Sequence, residues 1–152
     1  MEREHQDATA VVKRWARLWS IGDLADTDRV FAPNLHDHRP PPAHDIEGIN
    51  GEKQFISRVR FAFPDLQVEI EDMVVEGDRV AARVMHRGTH RGDFLGITPT
   101  GRSVAYEGTV IFRIVDGRIT ERWGTVDLFA ILWQLGVPPT LPIGAGLGTT
   151  ST

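Results

Sequence analysis

The feature that most constrains this chain is a change of hydrophobic period near residue 65. Before that point apolar residues recur at the spacing of helical turns, whereas after it they alternate as in half-buried strands. The alternation runs first on one parity and then on the other, through Leu66, Val68, Ile70, Met73 and Val75. The reversal predicts a β-bulge near Glu71 and Asp72, because one extra residue returns the later apolar side chains to the buried face.

Three helices are predicted before the change. The first runs from about Glu4 to Ser20 and carries an aromatic inner stripe. A short second helix runs from about Leu24 to Ala32 and ends before Pro33, because the residue that precedes a proline disfavours helix. The third runs from Asn50 to Ala62, with the asparagine as its N-cap.

Four strands and one helix are predicted after the change. The Gly77-Asp78 and Asp116-Gly117 pairs tolerate the positive φ that two-residue hairpin turns demand. The strands lie at about 65–76, 79–91, 102–115 and 118–126, and the last helix runs from Asp127 to Leu135. Helices followed by hairpin-connected strands give an α+β fold, in which the N-terminal helices pack in a strongly curved, mainly antiparallel sheet. Such a half-barrel encloses a pocket.

Composition limits the class of protein. The chain has 152 residues, the size of one domain, and we predict a single domain over 1–137 followed by a Pro- and Gly-rich tail over 138–152. The absence of cysteine excludes thiol catalysis and disulfides, and it fits a cytoplasmic protein. A net charge of −4 argues against nucleic acid as a partner, and no apolar run is long enough to cross a membrane.

Glu121 is the first candidate for chemistry. A two-residue turn at Asp116-Gly117 makes the facing pairs Ile114–Ile119, Phe112–Glu121, Val110–Trp123 and Tyr106–Asp127. This register places Glu121 on the apolar face, where an unpaired carboxylate loses solvation and holds its proton more tightly. Such a group can serve as acid and base. The alternative is a half-buried strand, or an arginine that reaches round to pair with Glu121.

Asp127 is the second candidate. It follows the last strand and opens the last helix, so its ordinary role would be to accept backbone N–H bonds as an N-cap. The alternative is a carboxylate at the pocket mouth beside Tyr106, placed to take and return a proton.

Four histidines are further candidates. Parity places His86 and His90 on the apolar side of the second strand, where each can polarise a carbonyl, carry a proton or simply fill the core. His36 and His38 lie in a polar segment, but a zinc site needs a third ligand and a recognisable spacing. We therefore predict no metal there, and expect these two histidines either to hydrogen-bond a ligand or to lie in solvent.

Aromatic side chains are the predicted pocket walls. They serve first as core and then as lining that binds flat, ring-bearing molecules. They are Trp15, Trp19, Tyr106, Phe112 and Trp123. No GxSxG, phosphate-loop or GxGxxG motif is present, so acyl-serine and nucleotide chemistries have no support. Cofactor-free acid–base chemistry or plain ligand binding remains.

A glycine-rich segment at residues 88–101 reads GTHRGDFLGITPTG. It is flanked by Phe63-Pro64-Asp65, Glu76-Gly77-Asp78-Arg79-Val80, Phe112-Arg113-Ile114, Asp116-Gly117-Arg118-Ile119, and Trp123 followed by Asp127. With these pieces the chain resembles the SnoaL-like polyketide (ester) cyclase family over roughly residues 8–137. The resemblance implies a nuclear-transport-factor-like fold, a cone of helices against a strongly bent sheet that is often dimeric through its outer face.

The resemblance also implies a reaction. Characterised cyclases of the family close a ring by intramolecular aldol condensation on a polyketide methyl ester, with an Asp as acid and base and without metal or cofactor. The best match for that Asp is Asp127, with Glu121 as its rival. His38, His86 and His90 are the available donors to the enolate oxygen.

We therefore expect a cytoplasmic homodimer whose largely apolar pocket holds a hydrophobic, ring-forming or polycyclic small molecule and moves a proton on it. Two alternatives stay open, because a fold alone does not fix a reaction. One is isomerase or epoxide-hydrolase-like chemistry, the latter requiring Glu121, Asp127 and an inward arginine together. The other is a non-catalytic module that binds an apolar ligand.

Overall fold

The computed structural model describes residues 1–40 and 47–137, so the predicted C-terminal tail lies outside the described residues. The elements in chain order are α1 (Glu2–Ser20), a 3₁₀ turn (Leu24–Asp26), α2 (Thr27–Val30), β1 (Phe31–Asp37), α3 (Gly48–Ala62), β2 (Gln67–Glu76), β3 (Arg79–Thr89), β4 (Ser103–Val115), β5 (Arg118–Val126) and α4 (Leu128–Gln134).

Five strands form one curved, open sheet in the order β1-β5-β4-β3-β2. Its pairs are antiparallel except that of β1 with β5, which is parallel. The helices pack against the concave face, and the core between them includes the fully buried Phe31, Phe63, Phe112 and Ile119. The predicted α+β fold, with helices packed in a curved and mainly antiparallel sheet, is confirmed.

The predicted helix at 24–32 begins as a 3₁₀ turn and was wrong in its last two residues. Helix α2 ends at Val30, and residues Phe31–Asp37 form the strand β1. Pro33 explains the difference, because it biases its predecessor toward extended backbone and cannot donate a ladder hydrogen bond. A proline is tolerated in β1 because this strand lies at the edge of the sheet. The histidine-rich segment is thereby brought alongside β5.

The predicted bulge in β2 is confirmed. Ile70 pairs with Val84, whereas Asp72 pairs with Arg83, so Glu71 is the extra residue.

A second bulge, in β5, was not predicted. Ile114 faces Ile119 as expected, but the next facing pair is Arg113 with Glu121, so Thr120 is the extra residue. Because side chains alternate with a period of two, every residue after Thr120 lies on the face opposite to the predicted one.

This change of face alters the content of the concave side. Glu121 and Trp123 lie on the convex face, beside Arg113 and Ile111, so the prediction that both line the pocket was wrong. Arg122 takes the concave position, where it is 8% exposed.

Candidate functional site

A cavity of about 320 Å³ lies between the helices and the concave face of the sheet. This volume is at the lower end of the range for small-molecule sites, about 300–1,000 Å³. Of the predicted lining residues, Trp15, Trp19, His86 and Tyr106 do line it. Apolar side chains from α1, α3, β3, β4 and α4 form most of the wall, including Phe55, Val59, Val84, Phe94, Val110 and Ile131. Among the described lining residues none is Asp or Glu.

Two tryptophans form one wall of the cavity. The ring of Trp15 meets Phe112 edge-on with centroids 4.9 Å apart, and that of Trp19 meets Phe55 at 5.4 Å. Phe112 is fully buried behind Trp15 and packs in the core. The indole Nε1 atoms of Trp15 and Trp19 are buried and have no hydrogen-bond partner in the described parts of the chain. Because a buried N–H usually finds an acceptor, these two donors can meet ligand oxygens.

Arg122 is a buried cation in the cavity wall. Its Nη1 lies 2.7 Å from Oε1 of Glu52, on α3, and 3.6 Å from Oδ2 of Asp37, on β1. Asp37 is brought there by the parallel ladder, in which it pairs with Arg122. Less than a tenth of each of the three side chains is exposed.

Two carboxylates face one guanidinium in this cluster. Burial by itself opposes the charge on Arg122, but the Glu52 and Asp37 carboxylates outweigh burial and raise the pKa of the guanidinium. Oε2 of Glu52, Oδ2 of Asp37 and Nε of Arg122 are buried and accept or donate no hydrogen bond within the described residues. The cluster therefore keeps the guanidinium of Arg122 charged at the cavity, between two carboxyl groups, and retains unused polar atoms.

His86 is the second polar group of the cavity. It lies on β3 opposite Tyr106 of β4, is 5% exposed, and its imidazole stacks on the phenol ring with centroids 4.5 Å apart. Nδ1 lies 3.4 Å from the carbonyl oxygen of Tyr106. Burial lowers the pKa of His86 to about 4, so the imidazole is neutral at neutral pH. Burial also raises the pKa of the Tyr106 hydroxyl, which therefore keeps its proton.

His90 does not line the cavity, so the expectation that it faces a ligand is not met. It is fully buried against Phe63, and the backbone N–H of Thr100 donates to its Nδ1 at 3.1 Å. That bond leaves the proton of a neutral ring on Nε2. His90 anchors the loop between β3 and β4. Of the roles considered for this histidine, the structure supports that of a core residue.

The convex face holds the other predicted catalytic group. Glu121 lies 2.9 Å from Nε2 of His38 and is hydrogen-bonded to Arg113. His38 stacks on Trp123 with centroids 4.3 Å apart and meets His36 edge-on. None of Glu121, His36, His38 and Trp123 lines the cavity. The predicted placement of Glu121 and Trp123 was wrong, and the bulge at position 120 is the cause. His36 and His38 are exposed, which is the second of the two placements expected for them. A hydrogen bond from His38, and then the charge of Arg113, lower the pKa of Glu121.

Asp127 takes the ordinary role that its position predicts. It is exposed, and its Oδ1 accepts the backbone N–H of Ala130 at 2.9 Å as the N-cap of α4. Its chain neighbours Val126 and Leu128 line the cavity, so the carboxylate lies near the rim.

Sequence reasoning missed Glu52, Arg122 and Asp37 as site residues. A signal for Glu52 was present, because positions 52, 56 and 59 fall on one helical face with the buried Ile56 and Val59. Arg122 carried no such signal, since it depends on a bulge that the sequence does not mark.

The described residues offer neither a metal-ligand cluster nor a membrane-spanning helix. No group of three or more His, Cys, Asp or Glu in 1–40 and 47–137 is arranged to hold a metal ion. Within the same residues no helix combines the length and apolar character needed to span a membrane.

A cone-shaped α+β fold around a mainly apolar cavity defines a domain built for a small molecule, and the chain belongs to the SnoaL-like polyketide cyclase family, whose model matches residues 9–135. It is 30% identical over 141 residues to the aklanonic acid methyl ester cyclase DauD of a Streptomyces species, covering 88% of this chain and 84% of the relative. It is 33% identical over 126 residues to the nogalonic acid methyl ester cyclase of Streptomyces nogalater, covering 79% and 90%.

Solved structures show the same architecture. The chain superposes on TsrD from Streptomyces laurentii with a TM-score of 0.79 and 30% identity, covering 87% of this chain and 96% of that one. A Bacillus cereus crystal structure gives a TM-score of 0.80 with 27% identity, covering 91% and 86%.

Proposed function

We propose that this protein is a cyclase that closes a ring on a hydrophobic polyketide-type ester by acid–base chemistry, without a cofactor. Family membership supports the reaction class, and the mainly apolar cavity supports the substrate class. One observation carries the proposal: a buried guanidinium, that of Arg122, lies in a mainly apolar wall. In such surroundings a fixed cation stabilises the negative oxygen that forms when a carbon beside a carbonyl loses a proton.

The remaining donors fit the same role. The free indole N–H groups of Trp15 and Trp19 can bind other oxygens of a polyoxygenated ring system. Asp127 stays a candidate for acid and base at the rim, with one oxygen engaged by the N-terminus of α4. Glu121 is no longer proposed, because it lies on the convex face and is engaged by Arg113 and His38.

Aklanonic acid methyl ester and nogalonic acid methyl ester are the probes that test the proposal. We expect the purified full chain to convert at least one of them to a product of unchanged mass, because an intramolecular aldol addition only redistributes atoms. Arg122→Lys should lower kcat by about 10²-fold, since an ammonium lacks the guanidinium fork that can meet carboxylate and ligand together. Arg83→Lys, on the convex face, is the matched control and should leave kcat unchanged. Failure of folded protein to convert either ester would contradict the proposal.

A second candidate function is favoured by the Arg122 cluster itself. Two carboxylates around one arginine, with free oxygens on Glu52 and Asp37, can activate water for epoxide-hydrolase-like chemistry. The hydrolase expected from the sequence needed Glu121 in the pocket, and Glu121 does not lie there. Mass spectrometry separates the two candidates, because hydrolysis adds one water, traceable with isotopically labelled water, whereas ring closure adds nothing.

The non-catalytic alternative also has support. Glu121 is hydrogen-bonded to a surface arginine, and Asp127 accepts a backbone N–H. Carboxylates engaged in this way are what a non-catalytic binding module predicts. Saturable quenching of tryptophan fluorescence by the esters without any product would favour this function.

We further propose a cytoplasmic homodimer that forms through the convex face. Val74, Ala81, Ile111 and Trp123 pair in succession across four strands and form an apolar row there. Val74 is 64% exposed and Ile111 38%, so a partner that covers the row would remove apolar surface from water. Sedimentation should show a dimer that Ile111→Glu converts to a monomer, and a monomeric wild-type protein would contradict this.

A further inference from the structure

We propose that Glu52 is a positioning residue for the ring closure: it holds one end of the Arg122 guanidinium, so that the other end, in the space left by Gly124, meets the substrate oxygen. The inference rests on the proposed cyclase function and adds the group that orients its cation. An arginine side chain has several rotatable bonds, so a donor built on one loses its direction unless neighbouring groups fix it.

The two ends of the guanidinium have different surroundings. Nη1 lies 2.7 Å from Oε1 of Glu52. Nη2 lies over Gly124, 2.7 Å from the place where a Cβ of that residue would stand. Arg122 and Gly124 share the concave face of β5 and both line the cavity, whereas Glu52 does not line it. The carboxylate therefore holds the end directed into the core, and Nη2 is the end that lies along the cavity wall.

Glu52 is better placed than Asp37 to hold the inner end. Oδ2 of Asp37 is 3.6 Å from Nη1, beyond hydrogen-bond distance, and its Oδ1 accepts the backbone N–H of Arg39 at 2.9 Å. Glu52 is 1% exposed and lies on the face of α3 that also buries Ile56. A buried carboxylate on a packed helix has little freedom, so its short hydrogen bond fixes the guanidinium firmly.

Gly124 supplies the space that Nη2 occupies. A Cβ at this position would stand closer to Nη2 than real Cβ atoms come to their neighbours, so a larger residue would displace the guanidinium. The φ of Gly124 is not in the positive region, so the backbone itself does not demand a glycine here. The missing side chain therefore serves the arginine on the same face of the strand.

The contribution of Glu52 is direction, because the cluster has no excess of positive charge. Burial opposes the charge of the guanidinium, but the Glu52 and Asp37 carboxylates raise its pKa, so it stays protonated between them. A substrate oxygen then meets an oriented N–H donor. Such a donor, held where the enolate oxygen develops its charge, stabilises that charge without reorganisation. The proton itself is moved by another group, for which Asp127 remains the candidate.

Glu52→Gln and Gly124→Ala test the two ends of the guanidinium separately. The amide of Gln fills the same space but carries no charge and holds Nη1 more weakly, and the methyl group of Ala displaces Nη2. With the two methyl esters, each variant should lower kcat by about 10- to 10²-fold with a smaller change in KM, because the donor acts mainly in the transition state. Glu107→Gln breaks the exposed pair with Arg83 on the convex face and, as the matched control, should keep the wild-type kcat.

Two further measurements distinguish positioning from a merely structural role. Because Arg122→Lys already removes the guanidinium, adding Glu52→Gln to it should lower kcat little further, and losses that multiply would overturn the proposal. Turnover is referred to folded protein, measured by circular dichroism, so a loss of stability alone leaves kcat unchanged. Nitrogen NMR should show slow rotation of the Arg122 guanidinium in wild type and faster rotation in Glu52→Gln; equal rates would also overturn it.

The outcomes separate this inference from the function on which it rests. If wild type converts an ester and either variant retains its kcat, positioning by Glu52 is overturned while the cyclase function stands. If wild type converts no ester, the proposed function fails and the positioning role fails with it. Should Glu52→Gln fail to fold, Gly124→Ala decides alone, because its methyl group meets the end of a flexible side chain that can move. An unchanged kcat in that variant would then overturn the inference.

Discussion

Consecutive residues of β5 belong to two ion clusters that differ mainly in their access to water. On the concave face Arg122 contacts Glu52 and Asp37, and less than a tenth of each side chain is exposed. On the convex face Glu121 contacts Arg113 and His38, and between 23% and 33% of those side chains is exposed.

The comparison shows why similar ion pairs contribute differently to stability when they are buried and when they are exposed. In water, an ion pair gains little because each charge is already solvated. In a buried cluster each charge depends on its partner, so the loss of one leaves the others without compensation. We therefore expect the concave cluster to control stability and ligand chemistry, and the convex cluster to contribute little to either.

Exchange of the two charges, Glu121→Arg with Arg122→Glu, should have the largest effect, because the bulge at Thr120 decides which face each position takes. The double variant places a third carboxyl group beside Glu52 and Asp37 and an arginine beside Arg113. It should lose more stability than any single charge substitution, because like charges then meet on both faces and those on the concave face are buried. Urea unfolding measures the loss. Thr120→Ala removes only a 3.4 Å contact to the Arg113 carbonyl and is the control, so an exchange no worse than this control would contradict the assignment of the two faces.

The same bulge marks the limit of prediction from sequence. In β2 the apolar residues change parity around Glu71, so the pattern itself reveals the extra residue. In β5 the apolar Ile119 and Trp123 keep one parity across Thr120, although they lie on opposite faces. The apolar character of Trp123 predicts a core position, yet its ring stacks on His38 outside the cavity.

Helices, hairpins and most of the sheet followed from local patterns, whereas the site depended on contacts between distant segments. His86 and Tyr106 were placed correctly on the concave side by strand parity and lie opposite each other. The pairing of Glu52 with Arg122 joins residues 70 positions apart, and no local rule predicts it. The edge strand β1 was missed because its strand partner within residues 1–40 and 47–137, β5, is a parallel neighbour far away in sequence.

Arg122→Met should have the next largest effect. It leaves Glu52 and Asp37 buried without a cation, and breaking such a cluster costs about 3–5 kcal/mol in the free energy of unfolding. Urea unfolding at neutral pH is the measurement. Arg122→Met with Glu52→Gln should recover part of the loss, because it removes one uncompensated charge. A single variant as stable as wild type would show that water reaches the cluster.

Acid should lower the free energy of unfolding through His86, on the concave face. The pKa of His86 is lowered from 6.5 to about 4 in the folded chain, so between these values the unfolded chain binds the extra proton. Stability from the neutral imidazole is complete above pH 6.5 and is lost as pH falls toward 4, by about 3 kcal/mol in total. His86→Asn should flatten this part of the stability profile, and His5→Gln, on the exposed start of α1, should not. A wild-type profile that is flat from pH 6.5 to 4 would contradict the burial of a neutral His86.

Glu121→Gln should have the smallest effect. The pKa of Glu121 is lowered by the hydrogen bond from His38 and the charge of Arg113, so its stabilising contribution is present at neutral pH and is lost only as acid protonates the carboxylate. Because the cluster is partly exposed, added salt screens it, and the urea midpoint of Glu121→Gln should approach that of wild type as salt rises. Ester turnover should be unchanged, since Glu121 does not line the cavity. A strong loss of turnover in this variant would return Glu121 to the active site and reverse the assignment of the two faces.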